Sequence, residues 1–432
     1  INVDILPLTD IDTAQRIVDI TMDIDEGRPS IVERIEISGN VRTRDKVIRR
    51  EIKLVEGDIY NSKLLRRSRQ NINNLGFFEE VKINTRKGSA PDRLLLDVNV
   101  KERPTGAFTF GAGYSSVEGP VMATSLSQAN LLGYGQRVSL LAELGTQGRQ
   151  RYSLSFFDPH ILDTDTSLGT SLFNTERVFD RYKEGHTGGN LELGRPLFWE
   201  DVRGSLGYRY ERLNIFDVAF DAPALIQEQE GKSTTSGLTG TLVRDTRDNR
   251  FDPTEGSRQS LSTEYAGGLL GGTNYFTRYI ADSSWYYPLF WKFVGLIHGN
   301  IGYITPFGGR TLPLAEKFFL GGPATVRGFK YRGLGPLDPA GVPTGGNKRL
   351  FFNLELIFPL YEKVIKGSLF FDAGNVWEEG KNYDLGGLRP AAGVGVRIVT
   401  PIGPMRLDWG FNLNPRAGEK SSVLTFSVGT FF

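Results

Sequence analysis

Cysteine is absent from the 432 residues, which excludes disulfides, thiolate metal sites and cysteine nucleophiles together. Histidine is almost absent: only His160, His186 and His298 occur, far apart and in no ligand-spaced cluster, so no metal site is expected. Excess charge of either sign is missing too. Lys plus Arg is 51 and Asp plus Glu is 50, a formal net charge of +1, whereas a nucleic-acid binder normally shows a basic surplus. No uninterrupted apolar run reaches the ~18 residues of a transmembrane helix, and mean hydropathy is −0.26. A helical membrane protein is excluded. A membrane β-barrel is not, because its strands alternate and their hydropathy averages out.

Glycine is in surplus, at 52 of 432 residues or 12%, against a usual figure of about 7%. Phe and Tyr number 28 and 16. Glycine with aromatics and no cysteine suits a many-stranded β protein with tight turns. At ~150 residues per domain the length suggests two or three domains, or a small one beside a large one. No signal peptide opens the chain at Ile1, so it reads as a mature or truncated fragment.

Residues 1–104 are charge-rich and carry helical signals. Val18–Ile24 alternates apolar and polar, and Asp25-Glu26-Gly27-Arg28-Pro29 breaks it. Val32–Ile37 alternates again and closes on Ser38-Gly39-Asn40. Thr43 then predicts an N-cap before a helix carrying Val47, Ile48 and Ile52. Asn61 predicts the cap of a second helix, with Leu64, Leu65, Ile72 and Leu75 on one face and Gly76 at its end. Strands at 80–84 and 94–100 complete a βααββ order, two helices on one face of a small sheet. Asp25-Glu26-Gly27, Val32-x-x-Ile35-x-Ile37-x-Gly39-Asn40 and Leu75-Gly76-Phe77-Phe78 together resemble a polypeptide-transport-associated (POTRA) domain. By that resemblance residues 27–104 are the last POTRA of an array, and residues 1–26 are the C-terminal remnant of a preceding one.

From 105 to 432 the pattern is alternation. Phe108, Phe110, Ala112 and Tyr114 alternate with Thr109, Gly111, Gly113 and Ser115, while Val202, Leu206, Tyr208 and Tyr210 alternate with Arg203, Ser205, Arg209 and Glu211. A soluble sandwich buries the apolar parity, whereas a membrane barrel turns it to lipid. Segmentation yields about sixteen antiparallel strands. Short connections (133–135, 157–159, 401–403) oppose long ones (roughly 213–233 and 304–348). Pro-Leu-Phe-Trp occurs at 196–199 and again at 288–291, on the short side, where an aromatic girdle would sit at the headgroup level. A membrane β-barrel preceded by an α+β domain is therefore the expected fold.

The connection at 304–348 carries Val326, Arg327, Gly328 and Phe329. An arginine presents a rigid fork of donors matched to carboxylates, and Gly328 permits a tight bend. Glu355 alternates with Leu354 and Leu356 and so can face a lumen; Asp372 ends the apolar run Leu369-Phe370-Phe371. Screened by water, an arginine–carboxylate pair contributes ~1 kcal/mol or less; desolvated, it costs ~3–5 kcal/mol to break. Gly106, Gly111 and Gly113 weaken the first barrel strand, and Gly429 sits near the end of the last. Strand edges with unpaired N–H and C=O groups template incoming strands. No nucleotide motif, catalytic Ser/His/Asp set or paired-carboxylate constellation stands out, so no catalytic residue, cofactor or enzymatic activity is expected.

Val-Arg-Gly-Phe in a long loop of a POTRA-bearing barrel, with Asn353–Pro359, Phe371–Trp377 and Arg247–Ser257, resembles the BamA family of barrel-assembly factors in gram-negative bacteria, over essentially the whole chain. Leu424, Phe426, Val428 and Phe432 share one parity and resemble the β-signal by which outer-membrane barrels are recognised. The resemblance implies that Arg327 contacts Glu355 and Asp372 and that loop 304–348 turns inward. It also implies a lateral seam between the first and last strands, at Gly106, Phe108, Phe110, Gly111, Gly113, Phe426, Val428, Gly429 and Phe432, where nascent outer-membrane proteins fold and insert. The partners it implies are those nascent proteins, periplasmic accessory lipoproteins of the Bam complex and outer-membrane lipids, with no nucleic acid. The barrel is then expected in the outer membrane and the POTRA in the periplasm. The alternatives are a POTRA-barrel translocation pore of the two-partner secretion or translocation-and-assembly type, a passive porin, and an outer-membrane enzyme.

Overall fold

In the computed structural model the described residues are 3–12, 17–26, 29–116, 119–146, 149–179, 181–199, 201–250, 252–339, 341–361, 364–400 and 403–428. The chain divides into two units, Ile1–Ala107 with Ser127–Val138, and Phe108–Leu126 with Ser139–Phe432.

In the first unit β1 (Val3–Asp12) and β2 (Ile17–Glu26) form an antiparallel hairpin that is a sheet of its own. The βααββ order follows as β3 (Ile31–Ser38), α1 (Asp45–Arg49), α2 (Ser62–Asn74), β4 (Phe78–Lys87) and β5 (Arg93–Glu102). The sheet order is β3-β5-β4, with β3 parallel to the central strand and β4 antiparallel to it. Val32, Ile48, Ile72, Leu96 and Val98 fill the space between helices and sheet. Asn61 caps α2 as its position predicts: its Oδ1 accepts from the N–H groups of Lys63 (2.9 Å) and Leu64 (3.2 Å). Gly76 takes φ +73° just beyond the helix. Ser68, fully buried in α2, accepts from Lys53 N–H at 2.8 Å and donates to Leu64 O at 2.8 Å, tying the helix to the preceding segment.

Thr43 is not the N-cap of α1. That position is Arg44, and α1 is barely more than one turn, so Ile52 lies beyond the helix although it is buried in the same core. The Thr43 hydroxyl is engaged elsewhere, accepting from Asn130 Nδ2 at 2.8 Å. Its N–H, with that of Arg42, donates to the Glu102 carboxylate at 2.6 and 3.0 Å. Burial alone would push Glu102 up, but these hydrogen bonds outweigh it and hold the carboxyl below its ordinary pKa. Stabilisation from this contact is fully present above the ordinary value of about 4.3 and is lost as pH falls through the lower folded value. Glu102→Gln is expected to reduce POTRA stability by about 1–2 kcal/mol at neutral pH. The deficit should vanish in acid, as read by hydrogen exchange of the α1 and α2 amides.

In the second unit and the strand ends it shares, sixteen antiparallel strands close on themselves. They are β6 (Gly106–Ser115), β7 (Gly119–Leu131), β8 (Gln136–Gly145), β9 (Gln150–Asp158), β10 (Ser167–Phe179), β11 (Tyr182–Pro196), β12 (Val202–Phe216) and β13 (Gly231–Asp245), followed by β14 (Gly256–Ala266), β15 (Phe276–Pro288), β16 (Val294–Pro306), β17 (Lys348–Tyr361), β18 (Ile365–Trp377), β19 (Arg389–Thr400), β20 (Gly403–Asn412) and β21 (Ser422–Val428). Burial decides between sandwich and membrane barrel. Phe108, Phe110, Leu172 and Leu261 are exposed, whereas Glu143, Glu184, Glu264 and Asp372 are buried. The apolar parity faces outward and the charged parity inward, the arrangement a lipid solvent imposes.

At the end where β6 begins, the near end, the connections are 132–135, 159–166, 197–201, 246–255, 289–293, 362–364 and 401–402. The far end carries 116–118, 146–149, 180–181, 217–230, 267–275, 307–347, 378–388 and 413–421. Long far-end loops thus begin at 217–230, between the seventh and eighth barrel strands, and continue through the second half of the barrel. The connection expected at 213–233 narrows to 217–230, and the long loop to 307–347, because the flanking strands keep pairing past their alternating stretches. The turn expected at 157–159 is instead the connection 159–166, with Asp158 Oδ1 accepting from His160 N–H at 2.9 Å. Both Pro-Leu-Phe-Trp segments run into near-end turns. In the second, Trp291 and Lys292 take φ +52° and +63°, unfavourable for side chains of this size.

Candidate functional site

Loop 307–347 packs against the inner wall. Val326 and Phe329 are buried with Phe351 of β17, Val376 of β18 and Ala391 of β19. The Asn353 side chain donates to Thr325 O at 2.7 Å. Gly328 (φ +85°) touches the backbone of β20: a Cβ there would lie 3.0 Å from Ala391 Cβ and 3.2 Å from the Phe411 carbonyl carbon. Both the left-handed conformation and the close approach demand glycine. Gly410 answers from the strand, where a side chain would run into the backbone of Arg327 and Gly328.

This approach lays Arg327 among carboxylates. Its Nε–H donates to Asp372 Oδ2 at 2.7 Å and its Nη2 to Asp372 Oδ1 at 2.8 Å, a bidentate fork. Its backbone N–H reaches Asp372 Oδ2 at 2.9 Å, and Nη1 reaches Glu355 Oε2 at 3.3 Å. The guanidinium carbon stands 3.5 Å from the centre of the Phe370 ring. Arg327 is 3% exposed and Asp372 0%, so the desolvated regime applies rather than the water-screened one. Sequence reasoning missed the rest of the cluster. Asp408 Oδ1 lies 3.8 Å from Arg327 Nη1, Arg397 Nη2 bonds Glu355 Oε1 at 2.5 Å, and Arg406 pairs with Asp408. Three arginines thus meet three carboxylates. The signal was there: Arg406, Asp408 and Gly410 occupy the parity opposite Leu407, Trp409 and Phe411.

A second anchor, also missed, holds the loop's other end. Glu316, in a single helical turn at Leu314–Glu316, is buried with Arg209 Nη2 at 3.2 Å from β12, Thr235 Oγ1 at 3.1 Å from β13 and Arg278 from β15. Glu264 of β14 bridges the same two arginines at 2.7 and 3.1 Å. Gln229 Oε1 accepts from Leu314 N–H at 2.7 Å. The loop therefore offers a cation to an acidic wall and an anion to a basic one. Glu316→Ala is expected to open the 307–320 stretch to protease while 321–330 stays protected, as mapped by limited proteolysis and mass spectrometry.

The barrel closes through β21 and β6. Among the described residues this junction has two ladder pairs, Ser427 with Ser115 and Val428 with Tyr114, against seven between β20 and β21. Ser116 N–H donates to Phe426 O at 2.8 Å, Phe426 N–H to Ser116 Oγ at 3.1 Å, and the Tyr114 and Phe426 rings are 6.2 Å apart. Of the expected seam residues, Phe426 and Val428 lie at the junction. Gly106, Phe108, Phe110, Gly111 and Gly113 lie along β6, with no β21 partner among the described residues, and Gly429 and Phe432 fall outside those residues. The register also sets Ser427 opposite Ser115, six positions from Thr109.

Residues 30–103 match the POTRA family, described as a surface antigen variable number repeat. The outer membrane protein assembly factor BamA of Neorickettsia risticii is 32% identical over 424 residues, covering 95% of this chain and 56% of that protein. BamA of Nitratidesulfovibrio vulgaris is 30% identical over 430 residues, covering 97% and 53%. The chain thus spans little more than half the length of these relatives. The crystal structure of BamA from Haemophilus ducreyi lacking POTRA domains 1–3 shares the fold, with a TM-score of 0.79, 24% identity, and coverage of 99% of this chain and 89% of that one. Residues 130–432, which include the anchored loop, both of its walls and β21, match the Omp85 superfamily domain, and the chain belongs to that superfamily.

Proposed function

We propose that this chain is the membrane-embedded part of a β-barrel assembly factor, which folds and inserts nascent outer-membrane proteins at the junction of β6 and β21. The barrel lies in the outer membrane of a gram-negative bacterium with its POTRA domain in the periplasm, so the near-end turns are periplasmic. The observation that carries the reading is the match of residues 130–432 to the Omp85 superfamily domain in a barrel closed by its own first and last strands, which among the described residues share two ladder pairs, Ser115 with Ser427 and Tyr114 with Val428. The meeting of the two terminal strands is a place where an incoming strand can take over backbone hydrogen bonds. The POTRA sheet supplies two further edges, β3 and β4, for nascent chains or for accessory lipoproteins. The reading needs no catalytic residue and no cofactor, since the substrate's own folding drives insertion. Depletion in cells followed by a census of outer-membrane proteins tests it. Broad loss of many barrels is expected, and loss of a single secreted protein would instead indicate a dedicated translocation pore.

A further inference from the structure

The outward face of β13–β17 carries a groove of about 610 Å³, inside the ~300–1,000 Å³ range of small-molecule sites. Two adjacent rows of ladder-paired residues build it. One row is Leu242, Leu261, Ala281, Ile301 and Leu350, each opposite the next. The other, nearer the periplasmic turns, is Arg244, Gln259, Ser283, Gly299 and Phe352. Small residues at Ala281, Ser283 and Gly299 make the floor, and a Cβ added at Gly299 would meet nothing within 4 Å.

The second row is chemically out of place on a lipid-facing wall. Arg244 is exposed, and its side chain makes no hydrogen bond or ion pair among the described residues. The Gln259 amide has both its oxygen and its nitrogen buried without a partner, a condition native structures rarely leave unexplained. Arg244 is next to the last residue of β13, and Trp285, one row closer to the turns, donates Nε1–H to Ser283 Oγ at 2.9 Å. Tryptophans mark the headgroup level, so a guanidinium and an amide stand at the depth of lipid phosphates, with an apolar trough leading away toward the bilayer centre.

We infer that this groove holds one phospholipid of the periplasmic leaflet, its phosphate on Arg244 and an acyl chain along the floor at Ala281 and Gly299. The site takes a lipid rather than a protein segment because its cation and apolar trough meet the two ends of one amphiphile, and because lipid is what this wall faces.

The test uses the full chain, equilibrated with vesicles of phosphatidylethanolamine and phosphatidylglycerol, extracted into detergent, and weighed by native mass spectrometry for retained phospholipid. One retained phospholipid is expected on the unaltered protein. Gly299→Leu fills the floor and is expected to cut retention about tenfold, and Arg244→Gln about fivefold, roughly 1 kcal/mol or more of binding each. Gly240→Leu is the control: it also adds a side chain in open space on an outward position of β13, but outside the groove, and should retain lipid normally. Equal retention in all four proteins, meaning annular lipid only, overturns the proposal. So does equal loss in the control, or no retention by the unaltered protein. Heat-modifiable gel mobility verifies that each barrel is closed.

Discussion

Arg327→Ala is expected to release the long loop while leaving the barrel closed. The substitution deletes the bidentate contact to Asp372 and the bond to Glu355. It leaves Arg397 and Arg406 to neutralise Glu355, Asp372 and Asp408, two cations for three buried anions. Stranding a buried partner in this way costs ~3–5 kcal/mol, a shift of roughly 10²- to 10^3.5-fold in the docking equilibrium. The strand ladders do not pass through Arg327, so heat-modifiable mobility should be unchanged. Trypsin should now cut after Lys330 and Arg332, and assembly activity should fall sharply. Arg327→Lys should rescue only in part, because a point charge neither spans both Asp372 oxygens nor lies flat on Phe370. Glu355→Gln and Asp372→Asn should each reproduce part of the defect, and together less than its sum, since all three groups share one network. An Arg327→Ala protein with an unchanged cleavage pattern and full activity would remove the anchoring role.

The second large effect concerns the junction. A disulfide between Ser115→Cys and Ser427→Cys, residues that face each other across it, should reduce substrate-barrel insertion to the rate of protein-free vesicles, and reductant should restore it. Directly opposed strand residues have Cβ atoms ~4.5–5.5 Å apart, near enough for a disulfide after a small adjustment. The matching control locks Ser205→Cys to Thr241→Cys, an opposed pair on β12 and β13. That wall takes no part in the proposed exchange of strands, so the control should insert normally. Full-rate insertion by a protein whose Ser115–Ser427 crosslink is confirmed would refute a lateral route.

Much of this architecture could be read without coordinates, for identifiable reasons. Alternation in a strand such as β12 reports the contrast between lipid and lumen, which acts on every residue independently of its neighbours in space. The cap at Asn61 is equally local, since its bonds reach two and three residues ahead. Thr43 was misleading because its hydroxyl serves Asn130, far away in the chain. The same applies to the charge clusters. Arg327, Glu355 and Asp372 were expected together only through a family resemblance. Asp408, Arg397 and Arg406 on one wall, and Arg209, Arg278 and Glu264 around Glu316 on the other, meet because of strand register. Register is a cooperative property of the closed barrel, and no single segment carries it.

The contact between Gly328 and Gly410 bears on the order of events when the protein itself is made. The loop lies flush against β20 with no side chain between the two backbones, so its docked position is fixed by backbone contact as well as by charge. Glu355, Asp372 and Asp408 come from β17, β18 and β20. If those strands zipped up before the loop arrived, three like charges would converge with one of their cations missing. Arrival of Arg327 therefore relieves a repulsion that closure of this wall creates, and the loop completes the charge balance of the C-terminal strands. Docking depends on contacts distant in sequence, which slows maturation, and a chain whose loop is cut before folding should close its barrel, held by its ladders, yet leave the acidic wall short of one cation.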